Sequence, residues 1–395
     1  MPEAKVISST GNNMISQAFR QAEPDVVAAY PITPQTTIIE GFDKFVANGQ
    51  VRTEFVTVES EHSAMSACIG ASAAGARVAT ATSSQGLAYM WEELYIAAGM
   101  RLPIVLANAN RALSAPLNIH GDHSDIMGAR DAGWIILMAE DAQEAYDNTL
   151  MAFRIAEDPR VLNPVCTSLD GFITSHAEER CELMDDESAK GFVGTFDNPY
   201  YPLLDLEHPV GKGMFANLGG TYMEMKSTQH DLMKVVPGVV QEIGDEWEKV
   251  CGRPYSPIET FGMDDAEYAI VIIGSAAGNA RYVARGLRAE GKKVGVVRVR
   301  LYRPFPSAEV VEAIKDCKAV AVLDRAESVG AVYGPLGEDV ATSLYIGGAH
   351  VPVKNYIYGL GGADVTNSLI EHVFSELESV ATGDVDGSSV FLGTR

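Results

Sequence analysis

Short apolar runs alternate with longer stretches in which apolar residues recur every three or four positions, a pattern that predicts α/β structure. Residues 12–22 place Met14, Ile15, Ala18 and Phe19 on one helical face. The run from Asp25 to Tyr30 ends at Pro31, which disfavours helix for Tyr30 and predicts a buried strand. Thr33 and Pro34 then predict a helix start, Thr33 as cap and Pro34 at the first helical position, with Ile38, Ile39, Phe42 and Phe45 as its apolar stripe. Strands are expected at 54–58, 77–81, 104–109, 133–139 and 161–169, and helices at 61–74, 85–99 and 142–157. Leu87, Met90, Trp91, Leu94 and Tyr95 would be the buried side of the helix over 85–99. Residues 111–130 have no period and read as a long functional loop. Such alternation predicts a mostly parallel sheet covered on both faces.

The alternation stops between about Glu182 and Asp264, a stretch punctuated by Asn198-Pro199, Tyr201-Pro202, Gly219-Gly220 and Arg253-Pro254. One helix is expected there, from about His230 to Val250, in a linker that packs over its neighbours rather than forming a third core. A second α/β unit follows, with strands at 268–273, 293–299, 319–323 and 353–358 and helices at 277–290, 307–315 and 335–344. The last ten residues read as a surface tail. The expected architecture is two doubly wound domains, residues 1–245 with a long C-terminal arm and residues 260–395.

Apolar residues make up 47% of the chain and charged residues 21%, enough to bury a large core. The net charge of −23 changes the picture of partners. It leaves no basic footprint for nucleic acid and disfavours an anionic membrane surface, so an anionic substrate must meet a locally placed cation. The five cysteines are dispersed and form no C-x-x-C, so a zinc site or iron–sulfur cluster held by this chain alone is not expected, and a reducing, cytoplasmic compartment is. The N-terminus lacks an apolar signal segment, and the weakly charged stretch Ser63 to Trp91 is interrupted by Arg77 and rich in Ser and Thr, as buried α/β structure rather than a membrane span.

Polar signatures sit at the ends of several expected strands, between Ala28 and Arg130. Thr33 could hold an anionic oxygen at a helix start, or serve only as a cap. Glu61 could hydrogen-bond a cofactor ring nitrogen, or be one more acid at a helix N-terminus. His62 is a possible general base or a surface residue. Arg111 could fork onto a substrate carboxylate, or pair with Asp122 or Asp125. Asp122, His123 and Asp125 resemble a metal cluster only loosely, and no metal site is expected. Gly274 to Gly278 is a weak nucleotide fingerprint that a tight strand-to-helix turn explains equally well. There is no P-loop, no G-x-S-x-G, no H-E-x-x-H, and no Gly-Asp-Gly with a downstream Asn pair.

Five segments in order resemble one family: Tyr30-Pro-Ile-Thr-Pro-Gln-Thr36, Glu59-Ser-Glu-His-Ser-Ala64, Ser84-Gln-Gly86, Asn110-Arg-Ala112 with Gly121-Asp-His-Ser-Asp125, and Arg300-Leu-Tyr-Arg-Pro-Phe-Pro306. Together they are similar to the α subunit of 2-oxoacid:ferredoxin oxidoreductases of the pyruvate:ferredoxin type. The resemblance implies a pyrimidine-binding thiamine-diphosphate domain followed by a transketolase C-terminal-like domain. It implies that Mg²⁺ and the cofactor's diphosphate sit on a β subunit, [4Fe-4S] clusters on β and δ subunits, and that a γ subunit completes the complex. By motif, Glu61 would bind the aminopyrimidine and favour the imino tautomer that takes the thiazolium C2 proton. Ser84, Gln85 and Gly86 would line the cofactor, and Thr33 and Arg111 would hold the substrate carboxylate. The implied reaction is oxidative decarboxylation of a small 2-oxoacid, pyruvate first, with coenzyme A as acyl acceptor and ferredoxin as electron acceptor. An aromatic or branched 2-oxoacid, or 2-oxoglutarate, is the alternative substrate. A non-catalytic binding or regulatory paralogue and a self-contained dehydrogenase using Gly274–Gly278 are the alternatives of other classes.

Overall fold

Four parallel strands, Val26–Ala29, Glu54–Thr57, Val78–Thr82 and Ile104–Asn110, carry the polar loops to one edge of a sheet. The computed structural model describes residues 4–198, 200, 202–383 and 387–394; Pro199 and Tyr201 of the punctuated segment lie outside the described residues. The sheet has seven strands, in the order Leu301–Arg303, Ile135–Met138, Val165–Asp170, Ile104–Asn110, Val78–Thr82, Val26–Ala29, Glu54–Thr57. All neighbours are parallel except Leu301–Arg303, which runs antiparallel to Ile135–Met138. Strand Ile104–Asn110 is buried at every position, as a central parallel strand covered on both faces must be.

A second, six-stranded sheet has the order Val390–Phe391, Val353–Ile357, Ala319–Asp324, Tyr268–Ile272, Val294–Val299, Ile258–Phe261. Strand Ile258–Phe261 is its antiparallel edge. The expected fold class is the observed one, but the two sheets are not independent. Leu301–Arg303 comes from the second unit and closes the edge of the first sheet. One apolar cluster joins Met65, Leu87 and Leu94 under the first sheet to Val271, Val297 and Val322 of the second. Beside it, Arg298 and Arg300 both donate to Glu144, at 2.7 and 2.8 Å, and hold that carboxyl well below its usual range despite its burial. The opposite face packs helices Gly11–Ala22 and Ala142–Glu157, where the ring of Phe19 stands edge-on to Phe42 and Phe153, each at 6.1 Å.

Several expected elements differ. The helix expected from Pro34 begins at Thr36. Residues Ile32 to Gln35 form a turn instead, closed by the Gln35 amide on the Ile32 carbonyl at 2.9 Å, and the buried Gln35 side chain donates to the carbonyls of Tyr30 and Ala81. Thr33 is therefore a turn residue and not a helix cap. The helix expected over 85–99 breaks at Met90 into Ser84–Tyr89 and Trp91–Gly99, and Trp91 points to solvent, edge-on to Tyr95. The 111–130 loop contains a helix, Ser124–Ala129. The segment after Glu182 holds helices Asp186–Val193, Thr221–Met233 and Val236–Cys251 where one was expected. Strand Ala4–Ser9, which was not expected, pairs antiparallel with Glu179–Met184. Helix Asn367–Ala381 was also missed, and within the expected tail Val390–Phe391 joins the second sheet.

Between the helices Asp186–Val193 and Thr221–Met233 the chain runs as an arm across the C-terminal ends of the helices Glu61–Ala73 and Trp91–Gly99, with the Leu203 amide on the Ala73 carbonyl at 3.0 Å. It exposes Leu204, Leu206, Met214, Phe215 and Leu218.

Candidate active site

Each site residue follows directly from a parallel strand. Glu61 comes after Glu54–Thr57 and opens a helix capped by Ser60, whose hydroxyl accepts from the Ser63 amide. Ser84, Gln85 and Gly86 follow Val78–Thr82, and Arg111 follows Ile104–Asn110. Strand register aligns Thr82 with Asn108, so these loops emerge side by side.

Glu61 is buried, and its carboxylate has no hydrogen bond or ion pair among the described residues. An acid without an internal partner is left to solvent or to a group from outside the chain. A Cβ on Gly86 would stand 2.8 Å from both Cγ and Oε1 of Glu61 and collide with Thr82 Oγ1. Thr82 Oγ1 and Ser83 Oγ are themselves buried and unpartnered. Together these atoms form a polar wall that leaves no space for a methyl group at Gly86. A carboxylate acceptor with hydroxyls beside it suits an aminopyrimidine, which offers N–H groups to a carboxylate.

Arg111 and Thr33 are brought together, as expected, though through the backbone: Arg111 Nη1 donates to the Thr33 carbonyl at 2.9 Å. Arg111 Nε donates to the Asn118 carbonyl at 3.2 Å and Nη2 to Gln85 Oε1 at 3.4 Å. Among the described residues no carboxylate lies within 4 Å of this guanidinium, so the expected alternative pairing with Asp122 or Asp125 does not occur. A buried cation held by neutral acceptors keeps its charge for an incoming anion. Thr33 is exposed beside it.

The residue that fixes these loops is Asp125. Its buried carboxylate accepts from the amides of Ser84 (2.9 Å), Arg111 (3.1 Å) and Ile126 (2.7 Å) and from the side chains of Asn108 (3.2 Å) and Asn110 (2.8 Å). Burial pushes the carboxyl above its ordinary value against those donors. In the sequence Asp125 stands only as a possible partner for Arg111 and as part of a loose Asp–His–Asp grouping in which no metal is expected, and this role was missed. A signal was present: two asparagines two residues apart in an otherwise apolar buried strand share one face and need a polar partner there.

The remaining expected residues are accounted for elsewhere. Asp122 accepts from Ser124 and from the Gly361 amide, and His123 Nε2 meets Asp170 Oδ1 at 2.5 Å, so Asp122, His123 and Asp125 do not converge. His62 Nε2 lies 2.8 Å from Glu92 and 3.3 Å from Glu93, and the Glu92 hydrogen bond raises its pKa. The Gly274 turn is filled from within. Asp170 accepts from the Ser275 amide at 2.9 Å and from Arg325 Nη1 at 2.9 Å, and Gly274 has His123 and Asp170 within about 3 Å of where a Cβ would stand. Burial alone would raise the Asp170 carboxyl, but Arg325 and His123 hold it far below its usual range. A carboxylate of the chain itself thus occupies the place a nucleotide phosphate would take.

The sequence family described as pyruvate flavodoxin/ferredoxin oxidoreductase, thiamine-diphosphate-binding, matches residues 17–245, and that described as pyruvate:ferredoxin oxidoreductase core domain II matches residues 266–370. The chain is 50% identical over 390 residues to pyruvate synthase subunit PorA of Thermotoga maritima, covering 98% of each chain. It is 43% identical over 397 residues to PorA of Methanocaldococcus jannaschii, covering 100% of this chain and 99% of that one. The ketoisovalerate oxidoreductase subunit VorA of Pyrococcus abyssi is 42% identical over 380 residues, covering 96% of this chain and 94% of its own. Among solved structures, 2-oxoglutarate:ferredoxin oxidoreductase of Magnetococcus marinus superposes with a TM-score of 0.69 at 22% identity, over 95% of this chain and 65% of that one, which is a likeness of fold.

Proposed function

The chain belongs to the pyruvate flavodoxin/ferredoxin oxidoreductase family, and from that premise we propose how its residues serve the reaction. It is a subunit of a multi-subunit, thiamine-diphosphate-dependent oxidoreductase acting on pyruvate. Bound thiamine diphosphate supplies a carbon nucleophile and an electron sink for decarboxylating a 2-oxoacid. Glu61 faces the aminopyrimidine and holds a proton at its ring nitrogen, which is the role a buried carboxylate without an internal partner supports. Ser84, Gln85 and Gly86 wall that ring, and Gly86 sets how closely it approaches Glu61. Arg111 orients the substrate carboxylate, with the Thr33 hydroxyl exposed beside it. It positions the substrate and transfers no proton, because a guanidinium stays charged.

The chain lacks a second half for the site. In this reading a β subunit brings the diphosphate and Mg²⁺, β and δ subunits carry the [4Fe-4S] clusters that pass electrons to ferredoxin, and a γ subunit completes the complex. Coenzyme A takes the acyl group, and the complex works in the cytoplasm. Among the described residues no helix is long and apolar enough to cross a membrane. Residues 1–245 and 260–395 act as two domains, with Leu301–Arg303 of the second added at the edge of the first sheet.

The observation that carries the reading is the partnerless Glu61 carboxylate against Gly86. Glu61→Gln in the assembled complex removes the acid but keeps the shape. Pyruvate-dependent viologen reduction should fall by about 100-fold or more, within the range of a lost acid–base group. Undiminished turnover refutes the assignment. Comparing pyruvate with 3-methyl-2-oxobutanoate and 2-oxoglutarate on the wild-type complex decides the acyl group, a comparison the VorA similarity calls for.

A further inference from the structure

The loop that follows Arg111 is gripped from the second sheet. After strand Val353–Ile357 the chain turns through Gly359, Leu360, Gly361 and Gly362, with φ of +62°, +57° and +81° at the three glycines. The Gly361 carbonyl accepts from Asn118 Nδ2 at 3.0 Å, and the Gly361 amide donates to Asp122 at 2.9 Å. A Cβ on Gly361 would collide with that Asn118 amide, and one on Gly362 would stand 2.5 Å from His120 Cβ. Asn118 Oδ1 also accepts from the His120 amide at 2.7 Å. The Arg325 carbonyl accepts from the His123 amide at 2.8 Å, so the loop is tied to the second sheet at both ends of this stretch. The Asn118 backbone carbonyl, fixed in this way, is what Arg111 Nε donates to.

We propose that Asn118 and the Gly359–Gly362 turn are positioning elements for Arg111, and that aiming the substrate-binding guanidinium is a task of the second domain. The proposal rests on the reading that Arg111 binds the 2-oxoacid carboxylate. The guanidinium has three anchors: the Thr33 carbonyl, Gln85 Oε1 and the Asn118 carbonyl. Only the third depends on the second domain. If the turn shifts, Asn118 follows, and the fork swings about its remaining anchors. Both glycines that touch the loop combine left-handed backbone with a neighbour where a side chain would stand, so the close approach has two separate requirements that alanine cannot meet.

The test uses Asn118→Ala and Gly361→Ala in the assembled complex, with Arg111→Lys and the double variant Arg111→Lys/Asn118→Ala. Each single variant at 118 and 361 should raise KM for the 2-oxoacid about tenfold with unchanged thiamine diphosphate affinity, and Asn118→Ala should add nothing in the Arg111→Lys background. Unchanged KM in Asn118→Ala, or a penalty that adds in full to that of Arg111→Lys, overturns the proposal. If Arg111→Lys itself leaves KM unchanged, the underlying reading of Arg111 fails instead. Subunit co-purification and melting midpoint report assembly; should Gly361→Ala not assemble, Asn118→Ala decides alone.

Discussion

Gly86→Ala adds one methyl group at the wall between Glu61 and the proposed cofactor ring. Gly86 lies in the helix Ser84–Tyr89 without a positive φ, so the backbone tolerates alanine, and helix propensity favours it by about 1 kcal/mol. The new Cβ, however, stands 2.8 Å from Glu61 Cγ and Oε1 and collides with Thr82 Oγ1. Thr82 is fully buried in a central strand and cannot withdraw, so the Glu61 side chain must give way. Overpacking a filled site costs about 1–3 kcal/mol, which offsets the helical gain and leaves a net loss of about 2 kcal/mol or less. The effect on turnover is larger, because a displacement of about 1 Å at a positioned catalytic group lowers the rate about 100-fold. The assay is pyruvate-dependent viologen reduction by the assembled complex, with a thermal melt on the same preparation. A small change in midpoint with a collapse in kcat/KM is expected. Turnover within twofold of wild type refutes the claim that Gly86 and Glu61 share one wall.

Two further perturbations probe the scaffold. Asp125→Asn leaves five converging donors with a single acceptor oxygen and turns an amide N–H₂ toward some of them. A buried donor left unpaired costs about 1–3 kcal/mol, so the melting midpoint should fall and KM for the 2-oxoacid should rise as the Ser84 and Arg111 loops separate; an unchanged KM denies Asp125 its role between them. Asp324 accepts from the amides of Leu336 and Gly337, yet burial raises its pKa to about 6 from an unfolded value near 3.8. A raised folded pKa contributes stability that is full below about pH 4 and is lost as pH rises through 6. The midpoint of Asp324→Asn relative to wild type should therefore climb between pH 4 and 6.5 and level off above; a difference independent of pH contradicts the shift.

The strand-end loops were legible because their signals are local. An apolar run ending in Tyr30-Pro31, a helix opening at Glu61 and a polar turn at Ser84 each depend on neighbours within a few residues, and the structure places all three at one sheet edge. What escaped depends on partners distant in the chain. Ala4–Ser9 is a strand because Glu179–Met184 pairs with it, and Leu301–Arg303 because an edge of the other unit's sheet accepts it. The start at Thr36 is set by Gln35 reaching the Ala81 carbonyl, which proline and threonine preferences cannot anticipate. Asp125 and Asn118 look like ordinary loop polars until their donors and acceptors converge. Gly274–Gly278 shows the converse: a weak fingerprint without the full glycine spacing is a strand-to-helix turn closed from within by Asp170.

The site combines three features that are unfavourable in a chain standing alone: an acid without a donor at Glu61, a guanidinium held only by neutral oxygens at Arg111, and buried hydroxyls without partners at Thr82 and Ser83. Elsewhere in the same molecule buried charges are neutralised internally, as Asp170 is by Arg325 and His123, and Glu144 by Arg298 and Arg300. The capacity to pair buried charges with one another is therefore present in this sequence and is not used for Glu61 and Arg111. An acid without a donor and a cation without a counter-ion lie at the same sheet edge, after strands Glu54–Thr57 and Ile104–Asn110, and do not pair with each other. A chain selected only to fold would gain by joining them. Keeping them apart is consistent with a ligand that presents a donor to one and an anion to the other, and that is completed from a second subunit.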